Sequence, residues 1–141
     1  MATAQPKRDS FHKEFYLNGK IKKETPYMYG KINGLVKLYT EYGKLQGEFP
    51  YSNGLENGLE KQYYDDGTLL SEVLYANGKE TGISKLYYQN GHICLETPYV
   101  NGKKNGTAKI YYEDGKLKSE CTYIDGQPGD TKYFDQDDEI K

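Results

Sequence analysis

The chain has few aliphatic side chains and no tryptophan. Hydrophobic residues make up 35% of its 141 residues, against roughly 45–50% in an average globular protein, and its mean hydropathy is −0.94. So little aliphatic volume excludes the thick core of a Rossmann domain or a helical bundle. The 16 tyrosines and 16 glycines argue against disorder, because tyrosine supplies surface that folding can bury. The composition therefore predicts a thin, regular structure.

An excess of positive charge and long apolar runs are also missing. The formal net charge is −2, so the chain lacks the positive field by which proteins hold nucleic acid or anionic lipid. No apolar run reaches the roughly 20 residues that a membrane-spanning helix needs. Residues 1–10 lack the apolar stretch of a signal peptide. We therefore expect no nucleic-acid partner, no membrane association and a cytoplasmic location.

A 24-residue repeat organises the sequence. Five units share one register of aromatic, glycine, aliphatic, glutamate and tyrosine positions, with a lysine two residues before each leading aromatic. The leading aromatics are Phe15, Tyr39, Tyr63, Tyr87 and Tyr111; the glutamates are Glu24, Glu48, Glu72, Glu96 and Glu120; and the later tyrosines are Tyr27, Tyr51, Tyr75, Tyr99 and Tyr123. We place the repeat array at residues 11–134, between a tail at 1–10 and an acidic tail at 135–141. Its units lie near 15–38, 39–62, 63–86, 87–110 and 111–134.

Each unit is expected to form two short strands and two turns. Dipeptides such as Asn18-Gly19 and Asp66-Gly67 are typical of tight turns in which glycine adopts positive φ. The second turn of a unit is predicted to be longer, for example from Asn53 to Gly58. Because no segment has helical periodicity, the predicted fold class is all-β. Five tandem β-hairpins would form one elongated, twisted antiparallel sheet.

Three prolines recur at one position of the repeat. Pro26, Pro50 and Pro98 each precede the later tyrosine of their unit. Since proline has no N–H to donate to a ladder, its recurrence predicts a break in strand pairing there, either a bulge or a strand end.

The length of the first turn decides which side chains share a face. Alternation along the following strand places Leu69 on an apolar face and Glu72 on the other. A three-residue loop pairs Tyr63 with Leu69, and it then places Tyr64 beside Glu72. A four-residue loop instead opposes Lys61 to Glu72 and moves Tyr64 to the apolar face. We favour the three-residue loop, because it places the repeated aromatic in the core.

One stretch of the chain carries a family likeness. The pattern Tyr-Tyr-x-Asp-Gly-x-Leu-x-Ser-Glu-x-x-Tyr-x-x-Gly-Lys-x-x-Gly at residues 63–82 resembles the MORN repeat, and more narrowly its bacterial variant. The resemblance extends over about residues 11–134. It implies hairpins stacked side by side into one long sheet. For bacterial proteins built wholly of this variant, it implies an antitoxin or immunity-like role in binding a toxin.

No residue pattern indicates catalysis or metal binding. His12 lies in the opening strand, and His92 follows a turn glycine, where we interpret it as a solvated side chain. Cys94 and Cys121 differ by an odd offset in the repeat frame, so we expect opposite faces and no disulfide. The acidic C-terminal segment lacks the glycine and the final glutamate of a calcium loop. We therefore expect no enzyme activity and no cofactor.

The remaining features favour a protein-binding module. The first hypothesis is an antitoxin or immunity-like protein that occludes a toxin; the alternative is a membrane-associated or scaffolding MORN protein. With a three-residue loop, one face would combine tyrosines and glutamates and would suit a partner with a basic cleft. The predicted binding residues are Tyr16, Tyr64, Tyr88, Tyr112, Glu72 and Glu96. Pairing of terminal strands into an edge-to-edge homodimer stays open.

Overall fold

The repeat folds into a single antiparallel sheet. The computed structural model describes residues 9–136, and side chains from residue 10 onward. This part of the chain contains no helix and forms 14 strands. They are β1 (Asp9–Phe15), β2 (Ile21–Met28), β3 (Lys31–Ile32), β4 (Gly34–Tyr39), β5 (Leu45–Ser52), β6 (Leu55–Glu56), β7 (Gly58–Tyr63), β8 (Leu69–Ala76), β9 (Lys79–Tyr87), β10 (Ile93–Val100), β11 (Lys103–Lys104), β12 (Gly106–Tyr111), β13 (Leu117–Ile124) and β14 (Gln127–Tyr133).

The strands follow one another across the sheet in chain order. The short segments β3, β6 and β11 lie in line with β4, β7 and β12, so the sheet has eleven strand positions. Ten steps of about 4.7 Å give it a length of about 47 Å. The predicted all-β array of tandem hairpins in one sheet is confirmed. The array starts earlier than predicted, because Asp9 and Ser10 pair with Met28 and Tyr27 in β1 and β2.

The first turn of each unit is the predicted three-residue loop. In the third unit, the N–H of Tyr64 donates to the carbonyl of Thr68 at 2.8 Å, and the N–H of Gly67 donates to Tyr64 at 2.9 Å. Gly67 has φ of 89°, in the left-handed region where a side chain is disfavoured. This turn therefore explains why glycine recurs at this position.

A bulge beside that turn changes the predicted faces. Tyr63 pairs with Leu69, but the next paired residues are Gln62 with Ser71 and Lys61 with Glu72. The extra residue between the pairs reverses the alternation. Tyr64 and Glu72 therefore lie on opposite faces, and the prediction that they share one is wrong. Lys61 opposes Glu72, as the four-residue loop was expected to arrange, although the loop has three residues.

The second turn of each unit is shorter than predicted. In the second unit, Ser52 pairs with Leu55, which leaves only Asn53 and Gly54 in the turn. Both have positive φ, 50° and 85°, as a type I′ hairpin requires. The later glycine, Gly58, belongs to the break between β6 and β7 instead.

The prolines mark that break, as predicted. Gly58 has φ of 123°, and a Cβ built on it would lie 3.1 Å from the ring of Pro50. The split into a short and a long strand occurs opposite Pro26, Pro50 and Pro98. Opposite Leu74 the strand β9 runs without interruption. Proline on one strand and glycine on the next therefore pack as a pair.

The register gives the sheet two different faces. The ladder face carries the lysines and glutamates of the Lys61–Glu72 pairing, together with the leading aromatics. The groove face carries the later tyrosines, such as Tyr75, and the residues between the ladder positions. Among residues 10–136, all buried residues other than one proline and one glycine lie on the groove face: Thr25, Val36, Glu60, Thr97 and Ser119. Because one layer has no second sheet to cover it, neighbouring side chains on the groove face must provide this burial.

Candidate functional site

On the ladder face, glutamates and lysines stand opposite one another on neighbouring strands. Glu72 lies opposite Lys61 on one neighbouring strand and Lys85 on the other, and this arrangement recurs along the sheet. The leading tyrosines donate to the glutamates: Tyr63 to Glu48 at 3.2 Å, Tyr87 to Glu72 at 2.9 Å and Tyr111 to Glu96 at 3.0 Å. Burial and the bond to Glu72 raise the pKa of Tyr87 to about 12. Two predicted binding residues, Glu72 and Glu96, thus belong to a structural ladder.

The predicted tyrosine row also holds the repeats together. Three of the four hydroxyls donate to the backbone carbonyl of the leading aromatic in the next unit, and the fourth donates to the carbonyl of Phe134, directly after β14. The pairs are Tyr16 to Tyr39 at 2.7 Å, Tyr64 to Tyr87 at 2.6 Å, Tyr88 to Tyr111 at 2.6 Å and Tyr112 to Phe134 at 3.2 Å. These residues therefore bridge neighbouring units, and a role for them in binding a partner stays a prediction.

The residue in the bulge lies against three of these four tyrosines. Lys22 places its Nζ 5.7 Å from the ring centre of Tyr16, and Lys118 does the same to Tyr112 at 5.6 Å. In the fourth unit, the Cys94 thiol raises the pKa of Tyr88 to about 12, with burial adding to the effect. Cys94 and Cys121 are free thiols.

His92 has a partner, contrary to its interpretation as a merely solvated residue. Its Nδ1 lies 2.7 Å from the carbonyl oxygen of Glu113, in the turn of the next unit. Lysines at the equivalent position make the same bridge: Lys20 to Tyr42, Lys44 to Asp65 and Lys116 to Gln136. In four of the five units, a long side chain after the turn glycine thus joins adjacent turns, whereas Thr68 bonds to Asp66 within its own turn.

In the middle units of the array, the groove face carries an acidic patch near the second turns, defined here as Tyr51, Tyr75, Glu56, Glu60 and Glu80. Tyr51 pairs with Glu56 across the second turn, and Tyr75 pairs with Glu80. The Tyr51 hydroxyl donates to Glu56 at 3.1 Å. Three carboxylates of two neighbouring units therefore share one face with two aromatic rings.

Glu60 is the unusual member of the acidic patch. It is 7% exposed, and Val36, Ser84 and Ala108 stand at its position in other units. Burial raises the pKa of its carboxyl, the Gln62 amide bonded at 2.7 Å lowers it, and repulsion from Glu56 and Glu80 raises it further. Burial, followed by the charge of Glu60, also raises the pKa of Tyr75 to about 12. The acidic patch thus combines three neighbouring carboxyl groups, one of which, Glu60, is largely removed from solvent.

Two clefts flank the acidic patch on the groove face. One of about 240 Å³ is lined by Val36, Leu38, Phe49, Tyr51 and Glu56 among others. Another of about 490 Å³ lies nearer the C-terminal end and includes Leu95, Ile110, Cys121 and Tyr123. Apolar side chains therefore border the carboxylates on both sides.

The acidic patch does not follow from the predicted long turn, which covers residues 53–58. The signal that could have found it is the Asn53-Gly54 dipeptide, which is typical of a two-residue hairpin. Such a hairpin pairs Tyr51 directly with Glu56. The same reasoning at Asn77-Gly78 pairs Tyr75 with Glu80.

The described residues contain neither a metal-binding cluster nor a membrane-spanning helix. Between residues 9 and 136, no group of three or more His, Cys, Asp and Glu side chains is arranged to hold a metal ion. Over the same range, no helix is long and apolar enough to cross a membrane.

The sheet defines a linear array of β-hairpins in which every unit contacts only its neighbours. The family model described as the MORN repeat variant matches residues 12–28, 32–53, 56–77, 80–101 and 104–125. These segments cover well over half of the chain, so the protein belongs to the MORN repeat variant family, a repeat module generally used for binding. A comparison with curated proteins gives no match.

Proposed function

We propose that the protein is a non-enzymatic protein-binding module of the cytoplasm. Its specific role would be that of an antitoxin or immunity-like protein that occludes a toxin with a basic cleft. The observation that carries this proposal is the buried carboxylate of Glu60, held beside Glu56 and Glu80 on a face with the half-buried Tyr51 and Tyr75. The partner is a protein, not a nucleic acid or a membrane, because the patch repels phosphate.

A basic partner would relieve the electrostatic strain in the acidic patch. Burial raises the pKa of the Glu60 carboxyl, and repulsion from the Glu56 and Glu80 carboxylates raises this pKa further. An arginine or lysine placed among the three carboxylates would favour their charged form and would form charge-assisted hydrogen bonds. Toxins that cleave or modify nucleic acid need cationic clefts to hold phosphates, so such a cleft complements the patch.

The groove face is large enough for a stable complex. Its strands of eight residues, such as β5, span about 26 Å at about 3.3 Å per residue, and with a sheet length of about 47 Å the face has about 1,200 Å². A standard interface uses about 800 Å² on each partner. Tyr51 and Tyr75 belong to the middle units of the array and lie one residue pair from their second turns, and aromatic residues are among those that contribute most to binding.

A titration with a basic peptide tests the chemistry of the acidic patch. A decalysine peptide is titrated into the protein by calorimetry at low salt. The double change Glu56→Gln and Glu80→Gln should weaken binding at least about tenfold, or 1.4 kcal/mol. Glu24→Gln with Glu120→Gln is the matched control, because it makes the same charge change on the ladder face. Equal affinities of the two double variants would contradict the proposed binding face.

A growth assay tests the antitoxin role. Proteins that co-purify with the chain from its own source are identified and expressed one at a time in a host. At least one should arrest growth, and co-expression of this chain should restore it, whereas the Glu56→Gln, Glu80→Gln variant should restore it less. If no captured partner is toxic, the antitoxin role is wrong, and a binding role of another kind stands on the peptide titration.

A further inference from the structure

The second unit breaks the tyrosine row that joins the repeats. Thr40 stands where the other four units have Tyr16, Tyr64, Tyr88 and Tyr112. Its hydroxyl accepts from the N–H of Lys44 at 3.2 Å within its own turn. The short side chain cannot reach the next unit as the phenol rings do. The position of one inter-repeat tyrosine is therefore left without a ring.

A cleft lies where that ring is missing. It has a volume of about 460 Å³, and its lining includes Tyr16, Thr40, Lys44, Gln46 and Asp65. The equivalent cleft two units later measures about 380 Å³ and is lined by Tyr64, Tyr88, Gln89, Asn90 and Glu113. In the later cleft, the counterparts of Lys44 and Gln46 are not part of the lining. The absence of the ring thus opens the cleft down to the bulge residue.

A second departure from the repeat adjoins the same cleft. Tyr42 stands where the other turns carry an asparagine or aspartate before the glycine. It is 74% exposed and lines the cleft, so its ring stays in solvent instead of filling the gap. Thr40 and Tyr42 therefore both line this cleft. Thr40 leaves space for a ring, and Tyr42 places an aromatic side chain beside that space.

We propose that this cleft binds a tyrosine side chain of the partner protein. Tyr16, Tyr64 and Tyr88 define the occupant, because each has a phenol ring whose hydroxyl donates to a backbone carbonyl of the next unit. At the cleft, the equivalent carbonyl is that of Tyr63. This proposal rests on the proposed function in one respect, namely that the tyrosine in the cleft belongs to a partner protein. Alternation beyond Tyr39 directs Thr40 to the groove face, so one partner can engage the cleft and the acidic patch together.

Binding of a small phenol tests the cleft without the partner. N-acetyl-tyrosinamide is titrated into the isotope-labelled full chain, and amide shifts are followed by NMR. Saturable shifts are expected at Thr40, Gln46 and Tyr63. Thr40→Tyr should occupy the position of the missing ring and close the part of the cleft next to Gln46, and it should weaken the binding at least tenfold and raise the melting temperature. Thr40→Ser is the matched control, because it keeps the hydroxyl and the space.

The outcomes separate the cleft from the proposed function. Absence of saturable shifts in the wild-type protein, or equal binding by Thr40→Tyr and Thr40→Ser, overturns the tyrosine site. Neither result affects the decalysine titration, which tests the acidic patch alone. If Thr40→Tyr does not fold, Thr40→Phe fills the same space without the hydroxyl and should also lose the probe. N-acetyl-phenylalaninamide should bind the wild-type protein more weakly than the tyrosine probe, and equal binding contradicts the role of the carbonyl.

Discussion

Replacement of Gly106 by alanine should destabilise the sheet through two effects that a control can separate. Gly106 has φ of 121°, and an added Cβ would lie 2.8 Å from Cγ of Pro98. A strained backbone conformation costs about 1–3 kcal/mol, and overpacking costs about 1–3 kcal/mol more. We therefore expect Gly106→Ala to lower the free energy of unfolding by about 3 kcal/mol.

Gly126→Ala is the matched control for the backbone term. Gly126 also has positive φ, 85°, but no atom lies within 4 Å of the Cβ that would be added. Its replacement should cost only about 1–2 kcal/mol. Urea unfolding followed by circular dichroism measures both variants.

A double change isolates the contact with the proline. Pro98→Ala in the Gly106→Ala background removes the Cγ that the new methyl group meets, and it should recover about 1 kcal/mol relative to the sum of the single changes. If Gly106→Ala costs no more than Gly126→Ala, or if the two sites are additive, the proline–glycine pair does not act through contact.

Three further predictions follow from the hydrogen bonds and pKa shifts. Glu60→Gln should raise the free energy of unfolding at pH 7. Burial raises the pKa of the wild-type carboxyl above its value in the unfolded chain, so ionisation of Glu60 lowers the stability of the folded state as the pH rises through these two pKa values. Chemical unfolding at pH 4 and at pH 7 should therefore show a gain in stability only at pH 7. Tyr64→Phe with Tyr88→Phe should lower stability by about 2 kcal/mol, because each loses one hydroxyl bond of about 1 kcal/mol; an unchanged urea midpoint would contradict the bridging role. Tyr75 and Tyr87 have pKa values raised to about 12, so absorbance at high pH should show late-ionising phenols and stability should fall from about pH 10 towards 12.

The conformational preferences of single residues and dipeptides determined the repeated hairpins and the breaks in strand pairing. Gly67 sits where a three-residue loop needs positive φ, and that requirement is readable from one dipeptide. Pro50 cannot donate to a ladder, so a break opposite it follows from a single residue. The Asn53-Gly54 dipeptide likewise predicts a two-residue turn. The longer turn predicted for residues 53–58 is wrong, and it does not allow Tyr51 to pair with Glu56 as observed.

The tertiary structure alone decided which side chains share a face. One extra residue at Leu70 reverses the alternation, because side chains in a strand change sides at every step. That bulge aligns each glutamate with lysines on both neighbouring strands, an arrangement that depends on three strands at once and leaves no mark in any one of them. The acidic patch around Glu60 and the cleft at Thr40 depend on the same register. A repeat thus fixes its own turns locally, whereas its surfaces are set by how neighbouring units pair.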